Sequence, residues 1–420
     1  MTGVTGQTET FAAAAWQPLP RPAGVCQAVT VERVDEPQLT RADVTALVGT
    51  TAGPEVLSDD GDTAIVRFWH HAPSARAVAL SASGWWWPCP ANQCDFDPVG
   101  AGWWCLSLRV PSDWQASYRF VEHDGEGDPP WWVNGLRDPG SPAVPDGANP
   151  LSHTAARGTR SSVVRMPRAR RPRNPAQQSP HASTTSGELH QLALETGPPI
   201  SVWHSGPTEL TAPVPLIVFT DGEAHVQHLD TPGLLGHAVA QGALPPLAAA
   251  FVPSGAERST VLGVPWGHAA WIAEALVPYL HARGIGGRAI DDRPNRTIIT
   301  GSSFGGLTAL FALARAPERI GCAVAQSTSL WRYPEGSLAA PLIAAARRGR
   351  VRVRLQTGRF EGSMPTSNGA LADELGDAGV NVTSRIINGG HDWAWWQPTA
   401  IDAIADLLGA PADPDHAPLP

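Results

Sequence analysis

The stretch RTIITGSSFGGLTALFALAR, residues 296–315, decides the fold class of this chain. Its first five residues are rich in Ile and Thr, which is typical of a buried strand. The glycine-rich segment GSSFGG (residues 301–306) follows, and apolar residues then recur at helical spacing. Strand, G-x-S-x-G and helix in this order predict a nucleophile elbow, in which Ser303 occupies a sharp turn. The glycines two residues away on either side keep that turn free of clashes.

The elbow predicts that Ser303 is a catalytic nucleophile. A serine in this place lies at a helix N-terminus, where free N–H groups favour a developing oxyanion. A glycine-rich turn between a strand and a helix can also bind phosphate or hold an inert serine. The strand and helix that flank this motif favour the nucleophile over both alternatives. Ser302 lies one position off the elbow and should point elsewhere.

A serine hydroxyl needs a base, and in elbow-containing hydrolases the chain order is serine, acid, histidine. His391 follows two glycines and the last predicted strand, whereas His416 lies in a proline-rich tail. Glu361 follows the predicted strand VRVRLQ and is the expected acid, which would orient His391 and stabilise its imidazolium. A Ser–His dyad without a strong acid stays open. Weaker candidates for the acid are Asp373, Glu374 and Asp392.

An oxyanion hole in this fold takes one backbone N–H from the residue after the nucleophile and another from a loop after an early strand. The first donor should be Phe304. The second should come from Gly222 or Glu223, which follow the predicted strand PLIVFT. Asp221 precedes them, and because Asp-Gly is a common turn pair, a plain turn explains this residue as well.

The rest of the chain predicts two domains. From residue 187, apolar strands alternate with helices, which predicts an α/β-hydrolase domain with a mostly parallel sheet over residues 187–410. Short strands bounded by Gly, Pro and Asp predict a small all-β, Ig-like sandwich over residues 31–166. The remaining segments are expected to be a flexible N-terminus (1–30), an Arg/Pro/Ser-rich linker (167–186) and a flexible tail (411–420).

Composition excludes some functions. The 420 residues carry a net charge of -9, which argues against nucleic-acid binding because that needs a basic surface. The N-terminal sequence lacks the features of a secretory signal, and no apolar run has membrane-spanning length, so we expect a cytoplasmic protein without a membrane partner. The five cysteines lack metal-ligand spacing, so we expect reduced thiols, no metal and no cofactor.

Several segments resemble the enterochelin esterases, also called ferric enterobactin esterases, across roughly residues 60–410. The block GSSFGGLTAL together with QSTSLW and GGHD is specific to esterases of this group, although secreted mycolyltransferases and feruloyl esterases share part of it. The matching segments are IVFTDGE (217–223), GSSFGGLTALFALARAPERIGCAVAQSTSLW (301–331), LQTGRFEG (355–362) and NGGHDWAWW (388–396).

The resemblance implies hydrolysis of the ester bonds of a cyclic trilactone siderophore, usually as its ferric complex, so that iron enters only as part of the substrate. Arg258 corresponds to a family arginine on the substrate side. Arg332, Arg359 and Asp221 are further expected substrate contacts, although a surface charge explains Arg332 and Arg359 equally well. Gln356 replaces the family's glutamate, and we expect it near the substrate.

Two other functions stay open at this stage. One is a generic carboxylesterase or acyltransferase on the same scaffold, acting on another small ester. The other is a ligand-binding protein whose hydrolase site has decayed. The presence of Ser303, Glu361 and His391 in the required order argues against the second.

Overall fold

The computed structural model describes residues 11, 13–22, 32–35, 53–83, 94–134, 140, 142–149, 152–154, 160–169, 187–206 and 212–409 of the chain. The predicted linker beyond residue 169 and the predicted tail lie outside these residues. The description below concerns the described ranges.

The N-terminal part of the molecule is all-β, as predicted. Its strands are β1 (Glu32–Val34), β2 (Glu55–Asp59), β3 (Thr63–His71), β4 (Ala77–Ala82), β5 (Asp97–Gly100), β6 (Trp103–Pro111), β7 (Gln115–His123), β8 (Ala143–Val144), β9 (Ser152–Thr154) and β10 (Arg160–Arg165). They form two antiparallel sheets of five strands each, one in the order β1-β6-β3-β2 with β5 on β6, the other in the order β4-β7-β10-β9 with β8 on β7. A short helix, α1 (Trp131–Asn134), follows β7.

Alternation along these strands builds one core between the two sheets. On β3 the side chains of Val66 and Phe68 are buried, and on β7 those of Tyr118 and Phe120 are buried in the same cluster. Successive side chains of a strand point to opposite faces, so Ser117 and Arg119 lie on the other face of β7. That outer face of β7 contacts the C-terminal part of the chain.

The C-terminal part contains one eight-stranded sheet. Its strands are β11 (Gly187–Leu192), β12 (Ile200–Ser205), β13 (Leu216–Thr220), β14 (Ala248–Val252), β15 (Thr297–Ser302), β16 (Cys322–Gln326), β17 (Arg352–Gly358) and β18 (Asn381–Ile387). The spatial order is β11-β12-β14-β13-β15-β16-β17-β18. The six strands from β13 onward run parallel, and β11 and β12 form an antiparallel hairpin at one edge.

Helices cover both faces of this sheet, which explains why its central strands are apolar throughout. They are α2 (Gly222–Gln227), α3 (Thr231–Ala240), α4 (Arg258–Val261), α5 (His268–Trp271), α6 (Val277–Arg283), α7 (Phe304–Arg315), α8 (Ala339–Arg348), α9 (Met364–Asp377) and α10 (Trp393–Leu408), with a π-helical turn between α5 and α6. Among the described helices, none has the length and apolarity that a bilayer span requires. The predicted α/β-hydrolase architecture, with a β-sandwich before it, is confirmed.

The prediction of a flexible N-terminus is wrong for residues 11 and 13–22. Phe11 and Trp16 are buried in the core of the C-terminal domain, where Trp16 packs edge-on against Phe311 with ring centroids 4.9 Å apart. Leu19 N–H donates to the carbonyl of Arg332 over 2.7 Å. Burying two aromatic side chains stabilises a segment whose small and polar composition alone favours disorder.

Candidate active site

The residues predicted to be functional lie at the carboxyl edge of the parallel sheet. Asp221 follows β13, Ser303 follows β15, Glu361 lies just beyond β17, and His391 lies just beyond β18. Side chains at the carboxyl ends of parallel strands can reach one another even when they are far apart in sequence. Strand order therefore brings together a site that spans 170 residues of chain.

The elbow at Ser303 has the strained backbone that its sequence predicts. Ser303 has φ 61° and ψ -117°, between the last residue of β15 and the first residue of α7. Only a few non-glycine residues adopt positive φ, and such strain is concentrated at functional sites. The strain presents the Ser303 hydroxyl at the helix N-terminus, whose first N–H groups have no partner within the helix.

The glycines of the elbow are required by close packing against Thr220. A Cβ atom on Gly301 would lie 2.2 Å from Thr220 Oγ1, and one on Gly305 would lie 2.3 Å from the same atom. Thr220 is fully buried at the end of β13. The end of this neighbouring strand thus excludes any side chain at either glycine.

The hydroxyl of Ser303 is within hydrogen-bonding distance of a second hydroxyl. Ser303 Oγ lies 3.1 Å from Ser329 Oγ, and the N–H of Ser329 approaches the Ser303 carbonyl at 3.4 Å. Ser329 follows β16 within the segment QSTSLW. The Ser303 hydroxyl therefore lies next to the segment that follows β16.

Glu361 and His391 are brought together as an acid–base pair. His391 Nδ1 lies 3.7 Å from Glu361 Oε1, with the carboxylate fully buried and the imidazole 19 % exposed. This distance fits an ion pair and is slightly longer than a hydrogen bond. Hydrogen bonds between catalytic groups often shorten only when substrate binds. The imidazole ring packs edge-on against Trp396 with centroids 4.6 Å apart, which limits its rotation.

The buried carboxylate of Glu361 is held by a short hydrogen-bonded chain. Ser327 Oγ donates to Glu361 Oε1 over 2.6 Å, and Trp396 Nε1 donates to Ser327 Oγ over 2.8 Å. A buried carboxylate needs such donors to remain in place. Ser327 and Trp396 were not predicted from the sequence, although both lie within the quoted family segments.

Asp392, the neighbour of His391, faces the sandwich and not the His391 side chain. Its carboxylate accepts from the backbone N–H and hydroxyl of Ser117, each over 2.5 Å, and from the hydroxyl of Ser83 over 2.9 Å. It also caps α10 by accepting from the N–H of Ala394. Asp392 therefore connects the sandwich to the C-terminal part of the chain directly beside His391.

Gly222 and Glu223 lie at the start of α2, where free N–H groups point toward the helix N-terminus. Gly222 packs so closely on β14 that a Cβ atom would lie 2.4 Å from the backbone carbon of Phe251. The side chain of Glu223 turns away, accepting from the N–H and hydroxyl of Ser254 at 2.9 and 2.8 Å. These contacts position both residues at the carboxyl edge of the sheet.

Arg258 and Asp221, both predicted substrate contacts, form an ion pair with each other. Arg258 Nε and Nη2 donate to the two oxygens of Asp221 over 2.5 and 2.8 Å, and Nη2 also donates to the carbonyl of Ser302 over 3.2 Å. Burial by itself would lower the pKa of Arg258, but the charge and hydrogen bonds of Asp221 outweigh it and raise that pKa. Arg258 thus connects Asp221, at the end of β13, to the last residue of β15.

Arg332 lies close to the same site and has no acidic partner within the described structure. Its guanidinium carbon lies 4.5 Å from the ring centroid of Phe304, on which Arg258 also packs at 5.7 Å. Nη2 of Arg332 donates to the carbonyl of Ser259. Arg359 is exposed, and its backbone N–H donates to Ile387. The guanidinium groups of Arg258 and Arg332 thus both pack on Phe304, the residue after Ser303.

Gln356 lies beneath the active-site edge. Its side chain is buried, Gln326 Nε2 donates to Gln356 Oε1 over 2.7 Å, and Gln356 Nε2 donates to the carbonyl of Thr399. Ser302 Oγ donates to Gln326 in the same network. The side chain of Gln356 therefore points from β17 toward α10.

Known proteins resemble this chain in sequence and in fold. The sequence model of the esterase family matches residues 205–407, a range that includes Ser303, Glu361 and His391. Over these residues the chain is similar to the esterase family. The chain is 29 % identical over 330 residues to the iron(III) salmochelin esterase of Escherichia coli O6:H1 strain CFT073, covering 73 % of this chain and 78 % of the relative.

A second curated relative and two solved structures extend the similarity. The iron(III) enterobactin esterase of Escherichia coli K12 is 27 % identical over 327 residues, covering 74 % of this chain and 80 % of the relative. The ferric enterobactin esterase of Salmonella typhimurium superposes with a TM-score of 0.73 at 24 % identity, covering 87 % and 98 % of the two chains. The Shigella flexneri enterobactin esterase, solved in the presence of enterobactin, superposes with a TM-score of 0.71 at 24 % identity, covering 88 % of this chain and 98 % of that chain. These superpositions show the same two-part fold.

Proposed function

We propose that this protein hydrolyses the ester bonds of a catecholate trilactone siderophore, with the ferric complex as its substrate and the cytoplasm as its location. The observation that carries the proposal is the similarity to esterases named for iron(III) salmochelin and iron(III) enterobactin, which extends over 73–74 % of the chain. The fold and the acid–base pair at the carboxyl edge supply the chemistry. Iron is part of the substrate, and no resident cofactor is needed.

The proposed reaction is acyl transfer to Ser303 followed by hydrolysis. Ser303 Oγ attacks the ester carbonyl while His391 takes the hydroxyl proton, and Glu361 stabilises the resulting imidazolium. The carbonyl oxygen becomes an oxyanion, which the N–H groups of Phe304 and the Gly222–Glu223 loop would stabilise. His391 then returns the proton to the leaving alkoxide. Water, activated by the same histidine, releases the acid and restores Ser303.

Local positive charge explains how an acidic protein could bind an anionic complex. The net charge of -9 repels an anion at long range, so binding has to rest on nearby cations. Arg332 packs on Phe304 beside the nucleophile and lacks a carboxylate partner in the described part of the chain. Arg258 is already neutralised by Asp221, so its main contribution is to hold the oxyanion loop. Arg359 is exposed close to Glu361 and remains a further candidate contact.

The decisive experiment offers ferric enterobactin and a neutral aryl ester to the same enzyme preparations. Ring-opened linear products, detected by mass spectrometry, are expected from wild type and not from Ser303→Ala. Arg332→Ala should lower kcat/KM for the ferric complex about tenfold or more, with a small effect on the neutral ester, because a charge-assisted contact is worth about 1.5–3 kcal/mol.

The matched control is Arg258→Ala, which leaves Asp221 buried without its partner. This variant should lower kcat/KM for both esters, because the oxyanion loop loses its attachment to the elbow strand. Cleavage of the neutral ester without any cleavage of ferric enterobactin would instead indicate a generic carboxylesterase.

A further inference from the structure

Three potential metal ligands lie on one face of the β11–β12 hairpin, away from the catalytic edge. Glu188 and His190 are two residues apart on β11 and therefore share a face. His204 on β12 is paired directly opposite Glu188. His204 also pairs with Ala248, the first residue of β14, so this cluster lies at the amino edge of the parallel strands, opposite Ser303.

The ligand atoms of these residues converge. His190 Nε2 lies 3.4 Å and His204 Nε2 lies 3.9 Å from Glu188 Oε2, and one such atom from each residue lies within 4.8 Å of the others. The two imidazole rings are stacked with centroids 5.6 Å apart. Imidazole nitrogens with a carboxylate oxygen form a donor set typical of zinc-class divalent ions.

The Nε2 atom of His204 faces this cluster without a hydrogen-bond partner among the described residues. His204 is fully buried, and its Nδ1 lies 3.3 Å from the carbonyl of Ser205. A carbonyl only accepts, so Nδ1 donates to it, and in the neutral imidazole Nε2 then presents its lone pair. Within the described structure, Nε2 of His204 and Nε2 of His190 are both buried without a hydrogen-bond partner. A lone pair next to a carboxylate is unfavourable unless a cation lies between them.

The backbone of Gly286 packs closely against the two histidine rings. Gly286 has φ +55°, and a Cβ atom there would lie 2.4 Å from His204 Nε2 and 2.9 Å from His190 Nε2. Any side chain at residue 286 would therefore clash with both rings and change the positions of their nitrogens. The Nδ1–H bond of His204 to a backbone carbonyl is also the usual second contact of a metal-binding histidine.

We propose that Glu188, His190 and His204 bind one zinc-class divalent cation. Zinc requires about 2.0–2.2 Å to nitrogen and oxygen ligands, and the Glu188 side chain, 61 % exposed, is free to close that distance. Water completes the fourth position. The ion joins both strands of the edge hairpin beside the turn that contains Gly286. Its role is structural, because it lies at the opposite edge of the sheet from the nucleophile.

The test is a Zn²⁺ titration of the untagged full-length protein by calorimetry, with Co²⁺ absorption as a probe of tetrahedral ligation. Wild type should bind one Zn²⁺, show tetrahedral Co²⁺ bands and melt at a higher temperature with Zn²⁺. His190→Ala and Glu188→Gln should each weaken binding about tenfold or more. Gly286→Ala should also weaken it, because the added Cβ atom would displace the two ligand rings.

Two control variants separate this site from adventitious binding. His71→Ala removes an exposed histidine of the sandwich, and Gln191→Ala changes the opposite face of β11, where Gln191 contacts Ser201. Both should bind Zn²⁺ like wild type, and chelation should leave ester hydrolysis unchanged. Absence of saturable Zn²⁺ binding to wild type, or equal loss in His71→Ala and His190→Ala, overturns the proposal.

Discussion

Backbone strain at single residues marks the catalytic edge. Among the described residues, five non-glycine residues have positive φ, and three of them, Asp221, Ser303 and Ser327, directly follow strands that end at this edge. Each is held by specific contacts: Asp221 by Arg258, Ser303 by the packing of its flanking glycines, and Ser327 by Glu361 and Trp396. The strain is maintained by the surrounding structure, which is how reactive groups are preorganised.

At the residue scale, the two acidic neighbours of His391 should have different roles. Glu361→Gln removes the charge that supports the imidazolium and should lower kcat by about 10²–10⁴-fold, with a small effect on unfolding. Asp392→Asn weakens the contacts to Ser117 and Ser83 and should mainly lower stability, by about 1–3 kcal/mol. Steady-state kinetics and urea unfolding of both variants separate the two effects. A larger loss of kcat in Asp392→Asn would mean that the acid is misassigned.

Sequence reasoning assigned roles to Ser303, Glu361 and His391 because these residue types occur in the chain order that a nucleophile elbow requires, and these roles stay predictions. It did not predict the contacts of Ser327 and Ser329 or the pairing of Arg258 with Asp221, because these contacts join different strands and depend on strand order. It also did not predict that Gln356 points toward α10, since the face to which a buried strand residue points cannot be predicted where both faces of the sheet are covered.

At the scale of elements, the elbow depends on the contact between β13 and β15. Gly305→Ala should destabilise the protein by about 1–3 kcal/mol, because its Cβ would overlap Thr220 Oγ1. Helix propensity alone predicts that Gly305→Ala would stabilise the protein, because Ala is a better helix former than Gly. Thr220 Oγ1 makes no hydrogen bond within the described residues, so Thr220→Ala should partly rescue the variant. Urea unfolding of the two single variants and the double variant measures this, and absence of rescue would place the clash elsewhere.

Most strands and the main helices could be predicted from hydrophobic pattern, but several boundaries could not. Helix α10 begins at Trp393, because Asp392 caps it and its buried tryptophans stabilise the first turns despite Pro398. Strand β12, with the short sequence ISVWHS, is ordered mainly by pairing with β11 and β14. Tertiary contacts therefore determine both elements.

At the scale of the whole molecule, the sandwich contacts the loops that carry Glu361 and His391. The outer face of β7 meets the loop after β18, where Gln115 N–H donates to the carbonyl of Asn388 and Ser117 binds Asp392. Phe360, next to Glu361, packs against the core of the sandwich. The loops that carry the acid and the histidine are therefore supported by both domains.

Protonation of a buried histidine should make stability depend on pH. Burial lowers the pKa of His225 to about 4, from 6.5 when unfolded, so the folded protein holds the neutral form. The stability that neutral His225 contributes to the folded protein is fully present above pH 6.5. It is lost as the pH falls from 6.5 toward 4, because over this range the unfolded chain binds the proton and the folded protein does not. The loss is about 3 kcal/mol.

The variant His225→Asn keeps a polar atom near Thr231 Oγ1, the hydrogen-bond partner of His225 Nδ1, and removes the titration. Unfolding free energies measured between pH 7 and pH 4.5 should fall less steeply for this variant than for wild type. Parallel curves for the two proteins would show that His225 does not control the acid sensitivity.

The central claim is that Ser303 is the nucleophile, and active-site labelling tests it directly. A fluorophosphonate should modify wild type once, and peptide mapping by mass spectrometry should place the adduct on Ser303. The nearby hydroxyls of Ser302, Ser327 and Ser329 should stay unmodified, since within the described structure the elbow presents only Ser303 at the helix N-terminus. Loss of activity should parallel labelling. An adduct on another serine, or full hydrolysis of the ester substrate by a folded Ser303→Ala variant, would contradict the account.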